Sequence, residues 1–116
     1  MNTPTVKLTE EQIEAKATEL TEREKVKITP LVFIQDDEQI VGYIREPNRL
    51  VKMRAVDKLA ESLTLAGEMI LLSCLIAGES DKRILSESEE HTNIYIGACL
   101  SVTALINVSA NQYKKK

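Results

Sequence analysis

The chain has 116 residues, of which 28% are charged and 43% are hydrophobic, and its formal net charge is −3. A chain of this length predicts one domain with a modest core. Aromatic residues make up only 3%, so the core must consist mainly of Leu, Ile, Val and Ala, as packed helices allow. The negative charge argues against non-specific nucleic-acid binding, which needs a basic face, and we predict no nucleic-acid partner. The basic tail, residues 114–116, is interpreted as a solvated end.

Residues that could carry chemistry are few and scattered. His91 is the only histidine, no triad pattern surrounds it, and the glycines are isolated instead of grouped in a phosphate-binding loop. Cys74 and Cys99 lie in apolar runs without metal-ligand spacing. We interpret them as buried thiols in a reducing compartment, with a disulfide between neighbouring helices as the alternative. The sequence therefore predicts no enzyme, no metal and no cofactor. The N-terminus lacks an apolar signal-peptide core, which argues against Sec export.

The first predicted element is a helix over residues 10–24, preceded by a flexible arm. Thr9 and Gln12 fit the two positions of a capping box. The apolar stripe that follows is thin and consists of Ile13, Ala17 and Leu20. Such a stripe predicts a marginal surface helix that a partner or another subunit helps to order. We therefore set residues 1–24 apart from a single α+β domain over 25–116.

A β-hairpin is predicted over residues 26–45. Its first strand spans 26–35, where Pro30 indicates an edge strand or a break, and its second strand spans 40–44. The acidic run Asp36-Asp37-Glu38 lies between them. Because this run lacks the spaced oxygen ligands and the glycine of a calcium loop, we interpret it as a turn and not as a metal site.

The hairpin ends abruptly in Arg45-Glu46-Pro47, which marks a strand-to-helix junction. Proline suits the first helical position, so Pro47 predicts the start of a helix over about 47–61. Apolar residues at spacings of three or four predict its buried face: Leu50, Met53, Ala55, Val56, Leu59 and Ala60. Arg45 and Arg49 flank the junction. One interpretation is that both side chains contact a partner or another subunit. The other is that Arg45 hydrogen-bonds carbonyls near the junction and Arg49 is a solvated charge.

The next helix is predicted over about 64–77 and contains the apolar run from Met69 to Ala77. Because the run is apolar on all sides, we expect this helix to be central, and Gly78 is well placed to end it. After a polar connector, a second capping box, Ser86-Glu87-Ser88-Glu89, predicts a final helix over about 87–112.

Residues 91–113 are ambiguous because apolar residues alternate with smaller or polar ones. The alternation is typical of a strand, yet no turn interrupts it after Gly97, and single strands seldom exceed about 10 residues. A membrane-spanning helix is the third interpretation, but its apolar part is barely long enough and it would bring several amide side chains into the hydrocarbon. We favour a helix within the protein.

The order of these elements resembles the small tail-assembly-chaperone-like proteins of tailed phages and of prophages in gut Bacteroidetes. Two segments carry the resemblance. Residues 43–49, Tyr-Ile-Arg-Glu-Pro-Asn-Arg, match a strand end followed by Arg-x-Pro-x-Arg. Residues 66–78, Ala-Gly-Glu-Met-Ile-Leu-Leu-Ser-Cys-Leu-Ile-Ala-Gly, match an apolar helix that ends in glycine.

The resemblance implies a non-enzymatic, self-associating protein of the bacterial host cytoplasm. It would coat a long, aggregation-prone tape-measure protein during tail assembly, holding helices of that protein in an apolar groove between the Met69–Ile76 helix and the helix around 94–108. The residues expected to bind the partner are Arg45, Pro47, Arg49, Met69, Leu72, Ile76, Ile94, Val102 and Ile106.

Three alternatives remain open from the sequence. The first is a small structural virion protein, such as a head–tail or tail-tube component. The second is a helical interaction module in which both apolar helices are core and another surface binds. The third is a small membrane-anchored protein that uses residues 94–110.

Overall fold

The computed structural model describes residues 8–114, with side chains up to residue 104. The elements in chain order are helix α1 (Glu10–Glu24), strands β1 (Ile28–Gln35) and β2 (Glu38–Arg45), and helices α2 (Arg49–Leu59), α3 (Leu63–Cys74) and α4 (Thr92–Lys114). Short 3₁₀ turns lie at Ala77–Glu79 and Glu89–His91. The predicted α+β class is confirmed: an N-terminal helix, an antiparallel hairpin and three further helices. The predicted flexible arm lies outside the described residues except for Leu8, and Lys115 and Lys116 lie outside them as well.

Helix α1 begins with the predicted capping box. The Thr9 hydroxyl accepts the Gln12 N–H at 3.1 Å, and the Gln12 side chain accepts the Thr9 N–H at 2.9 Å. The thin apolar stripe of α1 is buried against the hairpin of the same chain. This small core consists of Ile13, Ala17, Leu20, Ile28, Tyr43 and Ile76.

The hairpin closes through a two-residue turn, as predicted for the acidic run. Gln35 pairs with Glu38, and the two residues between them have positive φ, 53° at Asp36 and 67° at Asp37. Aspartate tolerates this left-handed backbone better than most residues, and two successive residues of this kind match the twist of a hairpin.

The two faces of the hairpin pack against different helices. One face packs on α1, and the opposite face packs on the helices that follow the hairpin. The larger core on that second side consists of Leu31, Ile40, Ile44, Ala55, Ala66, Ile70, Leu71, Cys74, Ile84, Ile94, Ala98, Cys99 and Val102. The hairpin is thus the middle layer between α1 and the helical part.

The outer edge of β2 is covered by the segment that follows α3. The Ile76 N–H donates to the Tyr43 carbonyl and the Asp81 N–H donates to the Val41 carbonyl, each at 2.9 Å. The buried Ser80 hydroxyl accepts the Tyr43 N–H at 3.0 Å and donates to the Ile76 carbonyl at 2.7 Å. Tyr43 therefore directs both backbone groups away from β1. Pro30, which pairs with Tyr43 across the hairpin, consequently faces no acceptor that needs an N–H.

Two predicted helix boundaries are wrong for identifiable reasons. Helix α2 begins at Arg49 because Asn48 is its N-cap, with its side chain accepting the Val51 N–H at 2.9 Å. Pro47 therefore precedes the cap instead of opening the helix. Helix α3 ends at Cys74, not at 77, because Leu75 turns extended and forms a bridge with Ile44.

Gly78 and the predicted second capping box also differ from the prediction. Gly78 lies in the 3₁₀ turn Ala77–Glu79 and does not end α3. Ser86 does not cap the last helix; its hydroxyl accepts the Ser88 N–H and hydrogen-bonds the His91 ring instead. A 3₁₀ turn intervenes, and α4 begins only at Thr92.

The ambiguous segment forms a helix, as favoured, and it packs closely on α3. A Cβ atom at Gly67 would collide with the backbone carbonyl of Cys99 on α4. The glycine therefore lets the two helix backbones approach each other, at the cost of the lower helix propensity of glycine.

We predict that Gly67→Ala destabilises the protein although alanine is the better helix former. The obstacle is backbone, which cannot rotate away, so we expect a loss of about 1–3 kcal/mol or more in the free energy of unfolding. Chemical denaturation followed by circular dichroism measures this loss. Gly78→Ala is the matched control, because nothing lies within 4 Å of a Cβ there. Equal stability of both variants would contradict the close approach of α3 and α4.

Ser80→Ala should also destabilise the fold. The change leaves the buried Tyr43 N–H without its acceptor, which typically costs about 1–3 kcal/mol. Ser73→Ala, at an exposed position of α3, is the control and should change the denaturation midpoint little. A Ser80→Ala protein as stable as this control would show that the serine does not hold the segment on β2.

Candidate binding surface

The predicted junction is held by contacts within the chain. Arg45 donates to the Glu24 carboxylate of α1 at 3.1 Å, and Lys52 pairs with Glu46 at 2.7 Å. Pro47 is buried, whereas Arg49 is exposed at the start of α2. Of the three predicted junction residues, only Arg49 thus presents its side chain to solvent without a salt bridge to any described residue.

Arg45 is one end of a chain of five alternating charges. Glu24 also binds Arg23 at 3.0 Å; Arg23 binds Glu79 at 3.0 Å; and Glu79 binds Lys16 at 2.9 Å. We call this set the charge ladder. It connects α1 with the end of β2 and with the 3₁₀ turn after α3.

The charge ladder shifts the titration of its members. The hydrogen bond from Lys16 is the largest influence that lowers the pKa of Glu79, and the hydrogen bond from Arg45 is the largest that lowers the pKa of Glu24. The reciprocal bond to Glu79 raises the pKa of Lys16. The ladder therefore favours the charged forms of Lys16, Glu24 and Glu79, which ties α1 to the rest of the protein at neutral pH.

An open cleft of about 510 Å³ lies beside the ladder, between α1, β2 and the segment after α3. Its charges are paired inside the protein. Arg83 binds Asp81 at 2.8 Å and also binds Glu38, and the bond to Arg83 lowers the pKa of Asp81. Lys16 is already bound to Glu79, so the described residues leave little charge in the cleft to attract an ion.

Helix α2 turns its larger apolar side chains outward. Leu50, Met53 and Val56, which we call the α2 outer stripe, are 55%, 59% and 39% exposed. This corrects the predicted buried face. The helix instead packs through the fully buried Ala55, with Val51 and Leu59 partly buried beside it.

The α2 outer stripe lies on the same face of the helix as the exposed Arg49. Arg49, Met53 and Val56 follow one another at spacings of four and three, which places them on one face of a helix. The face therefore combines apolar side chains with one guanidinium group at the N-terminal end of α2.

Helix α3 packs against both α2 and α4, yet one of its faces is a second exposed apolar surface. Leu65 and Leu72 are 44% and 61% exposed, and Met69 lies partly buried on the same helical face. We call these three residues the α3 outer stripe. Its neighbour Glu68 accepts a hydrogen bond from the Tyr95 hydroxyl of α4. Burial, and after it this bond, raises the pKa of the tyrosine.

The structure separates the predicted partner-binding residues. Ile76, Ile94 and Val102 are buried in the two cores, so they are not available to a partner in this conformation. Leu72 and Arg49 are exposed, and Met69 and Arg45 are partly so. Ile106 lies outside the residues with described side chains. The predicted groove between α3 and α4 is closed, because these two helices pack directly on each other.

The residues that the prediction missed are Leu50, Met53 and Val56. The sequence contains two apolar stripes on α2 at helical spacing, and either could face the core. The buried stripe has the small Ala55 at its centre, and this residue allows a close contact with a neighbouring helix. The small size of Ala55, compared with the large side chains of the other stripe, was the feature of the sequence that could have indicated the buried face.

The thiols agree with the simpler interpretation of the two cysteines. Cys74 and Cys99 are free and buried, and burial raises the pKa of the Cys99 thiol to about 11. Within residues 8–104, no group of three or more His, Cys, Asp or Glu side chains is arranged to hold a metal ion. None of the helices, over the part of the chain that is described, has the length and apolar character needed to cross a membrane.

No family model matches the sequence, and neither the curated proteins nor the solved structures contain a match.

The charge ladder predicts a pH-dependent contribution to stability. The lowered pKa of Glu79 means that its contribution is present above the ordinary glutamate value of 4.5 and is lost as the pH falls through the lower value of the folded state. Glu79→Gln should therefore lower the melting temperature at pH 7, and its difference from the unmodified protein should shrink in acid.

Thermal melts between pH 7 and pH 2 measure this difference. Glu22→Gln is the control, since Glu22 is exposed on α1 and forms no salt bridge with a described residue. A deficit of Glu79→Gln that is the same at all pH values would contradict an ionic role for this carboxylate.

Proposed function

We propose that this chain is a non-enzymatic phage tail assembly chaperone that binds an elongated, tape-measure-type protein through the outer stripes of α2 and α3. The observation that carries the proposal is the outward apolar face of α2. Three apolar side chains on an eleven-residue helix remain exposed while an alanine on the other side contacts the core.

A helical partner suits this surface. Apolar side chains at helical spacing are the usual anchors when one helix lies along another, and burying each of them contributes about 1.5–3 kcal/mol. Arg49 at one end of the α2 outer stripe would pair with an acidic side chain of the partner. Charge would then set the orientation of the chain along the partner, and apolar burial would set the affinity.

The proposed partner is long, so many copies of the chain would bind along it. Individually weak contacts then suffice, because each copy covers its own short segment of the partner. The net charge of −3 would keep such a complex dispersed. In this proposal the protein associates with itself and acts in the cytoplasm of the bacterial host, as the resemblance to tail assembly chaperones implies.

Affinity purification from cells that express the whole source operon tests the proposal. The tagged chain should recover one very long helical protein in complexes that contain many copies of the chain. Leu50→Lys combined with Met53→Lys should reduce this recovery about tenfold or more, because two apolar anchors are lost. Both side chains are more than half exposed, so the fold should persist.

The matched control combines Ile96→Lys with Leu100→Lys on α4. These side chains are also exposed, at 39% and 41%, and the charge change is the same. Recovery should remain within about twofold of the unmodified chain. Equal losses in both double variants, or recovery of finished virion proteins alone, would overturn the proposal, and the second result would indicate a structural virion protein.

A further inference from the structure

The outer edge of β1 is open along much of its length. Tyr43 and Val41 direct backbone groups toward the segment after α3, away from β1. Their partners across the hairpin are Pro30 and Val32, and in an antiparallel ladder such pairs do not bond each other. Every second residue of β1 has the same orientation. The backbone groups of Pro30, Val32 and Ile34 therefore point outward.

The covered end of the edge supports this assignment. Ile28 has the same parity, and its N–H donates outward to the Thr21 hydroxyl of α1 at 3.0 Å. The N–H and carbonyl groups of Val32 and Ile34 have no hydrogen-bond partner within residues 8–104. Their side chains are 44% and 57% exposed.

Natural proteins usually protect such an edge with charges, bulges or a covering segment. Here the pairing register runs from Ile28 to Gln35 without a bulge, and no charged residue occurs in that strand. Pro30 is the one protective residue, and it leaves the stretch from 31 to 35 available for pairing.

We propose that β1 pairs antiparallel with β1 of a second copy of this chain, which joins two hairpins into a four-stranded sheet. Charge complementarity favours a second copy of the chain as the partner of this edge. Lys25 and Lys27 lie before the strand and Asp36 and Asp37 follow it, all exposed and without a salt bridge to any described residue. Antiparallel pairing sets the basic end of one copy against the acidic end of the other, whereas parallel pairing would oppose like charges.

One register satisfies both the apolar and the charged residues. If the Val32 residues of the two copies face each other, Ile34 faces Pro30 and Lys27 approaches Asp37 of the second copy. The exposed apolar side chains of both strands are then buried against each other. The missing N–H of Pro30 removes only one hydrogen bond at each end of the pairing. This dimer does not depend on the proposed tape-measure partner.

Sedimentation of the purified full chain across a concentration series tests the dimer. The unmodified chain should form dimers at micromolar concentration, and Ile34→Lys should raise the dissociation constant about tenfold or more, since a charged side chain would then face the second copy. Leu72→Lys, at a similarly exposed position of α3, is the control and should leave the constant unchanged. Circular dichroism confirms that both variants fold.

A disulfide tests the register. Val32→Cys should form an intermolecular disulfide under mild oxidation, whereas Leu72→Cys should not. The native thiols of Cys74 and Cys99 are buried and do not compete. A monomer at all concentrations, a dimer that resists Ile34→Lys, equal weakening by Leu72→Lys, or failure of Val32→Cys to cross-link would each overturn the proposal. Because only the purified chain is used, these outcomes are separate from those of the operon purification.

Discussion

The attachment of the segment after α3 to the outer edge of β2 is the contact on which the rest of the structure depends. Two backbone hydrogen bonds and the buried hydroxyl of Ser80 pair this segment with Val41 and Tyr43. They end α3, bring Ile76 under α1 and place Glu79 within reach of Lys16 and Arg23. The helical part and the N-terminal helix are thus both tied to the one hairpin between them.

This arrangement also explains why the two edges of the hairpin differ. Along β2 the chain itself satisfies both backbone groups of Tyr43 and the Val41 carbonyl, so these groups are not available to another molecule. Among the residues that the structure describes, the edge of β1 is satisfied only at Ile28, where α1 ends beside it. Because unpaired backbone groups next to exposed apolar side chains favour strand pairing, the two edges have opposite consequences for association.

The protein therefore offers two kinds of surface with different physical character. The outer stripes of α2 and α3 can gain free energy by burying apolar side chains, which is not directional and tolerates different helical partners. The β1 edge requires an extended backbone in register, which is directional and selects a particular partner. We infer that the helical surface suits a long partner with varied sequence, and the strand edge suits an identical copy.

The types and order of the elements could be predicted from the sequence, as could the first capping box, the acidic turn and the buried thiols. These features depend on local hydrogen bonding and on the period of apolar residues, both of which are properties of a short segment. The junction at Pro47 was also visible, although the cap at Asn48 moved the start of α2 by two residues.

Tertiary contacts alone decided which apolar residues became surface. On α2 the stripe around Ala55 faces the core, and Leu50, Met53 and Val56 face solvent, because a small side chain allows the closer helix contact. On α3 the pairing of Leu75 with β2 ended the helix before Gly78 could. Each choice depends on a neighbour that is distant in sequence, and periodicity within one segment carries no information about that neighbour.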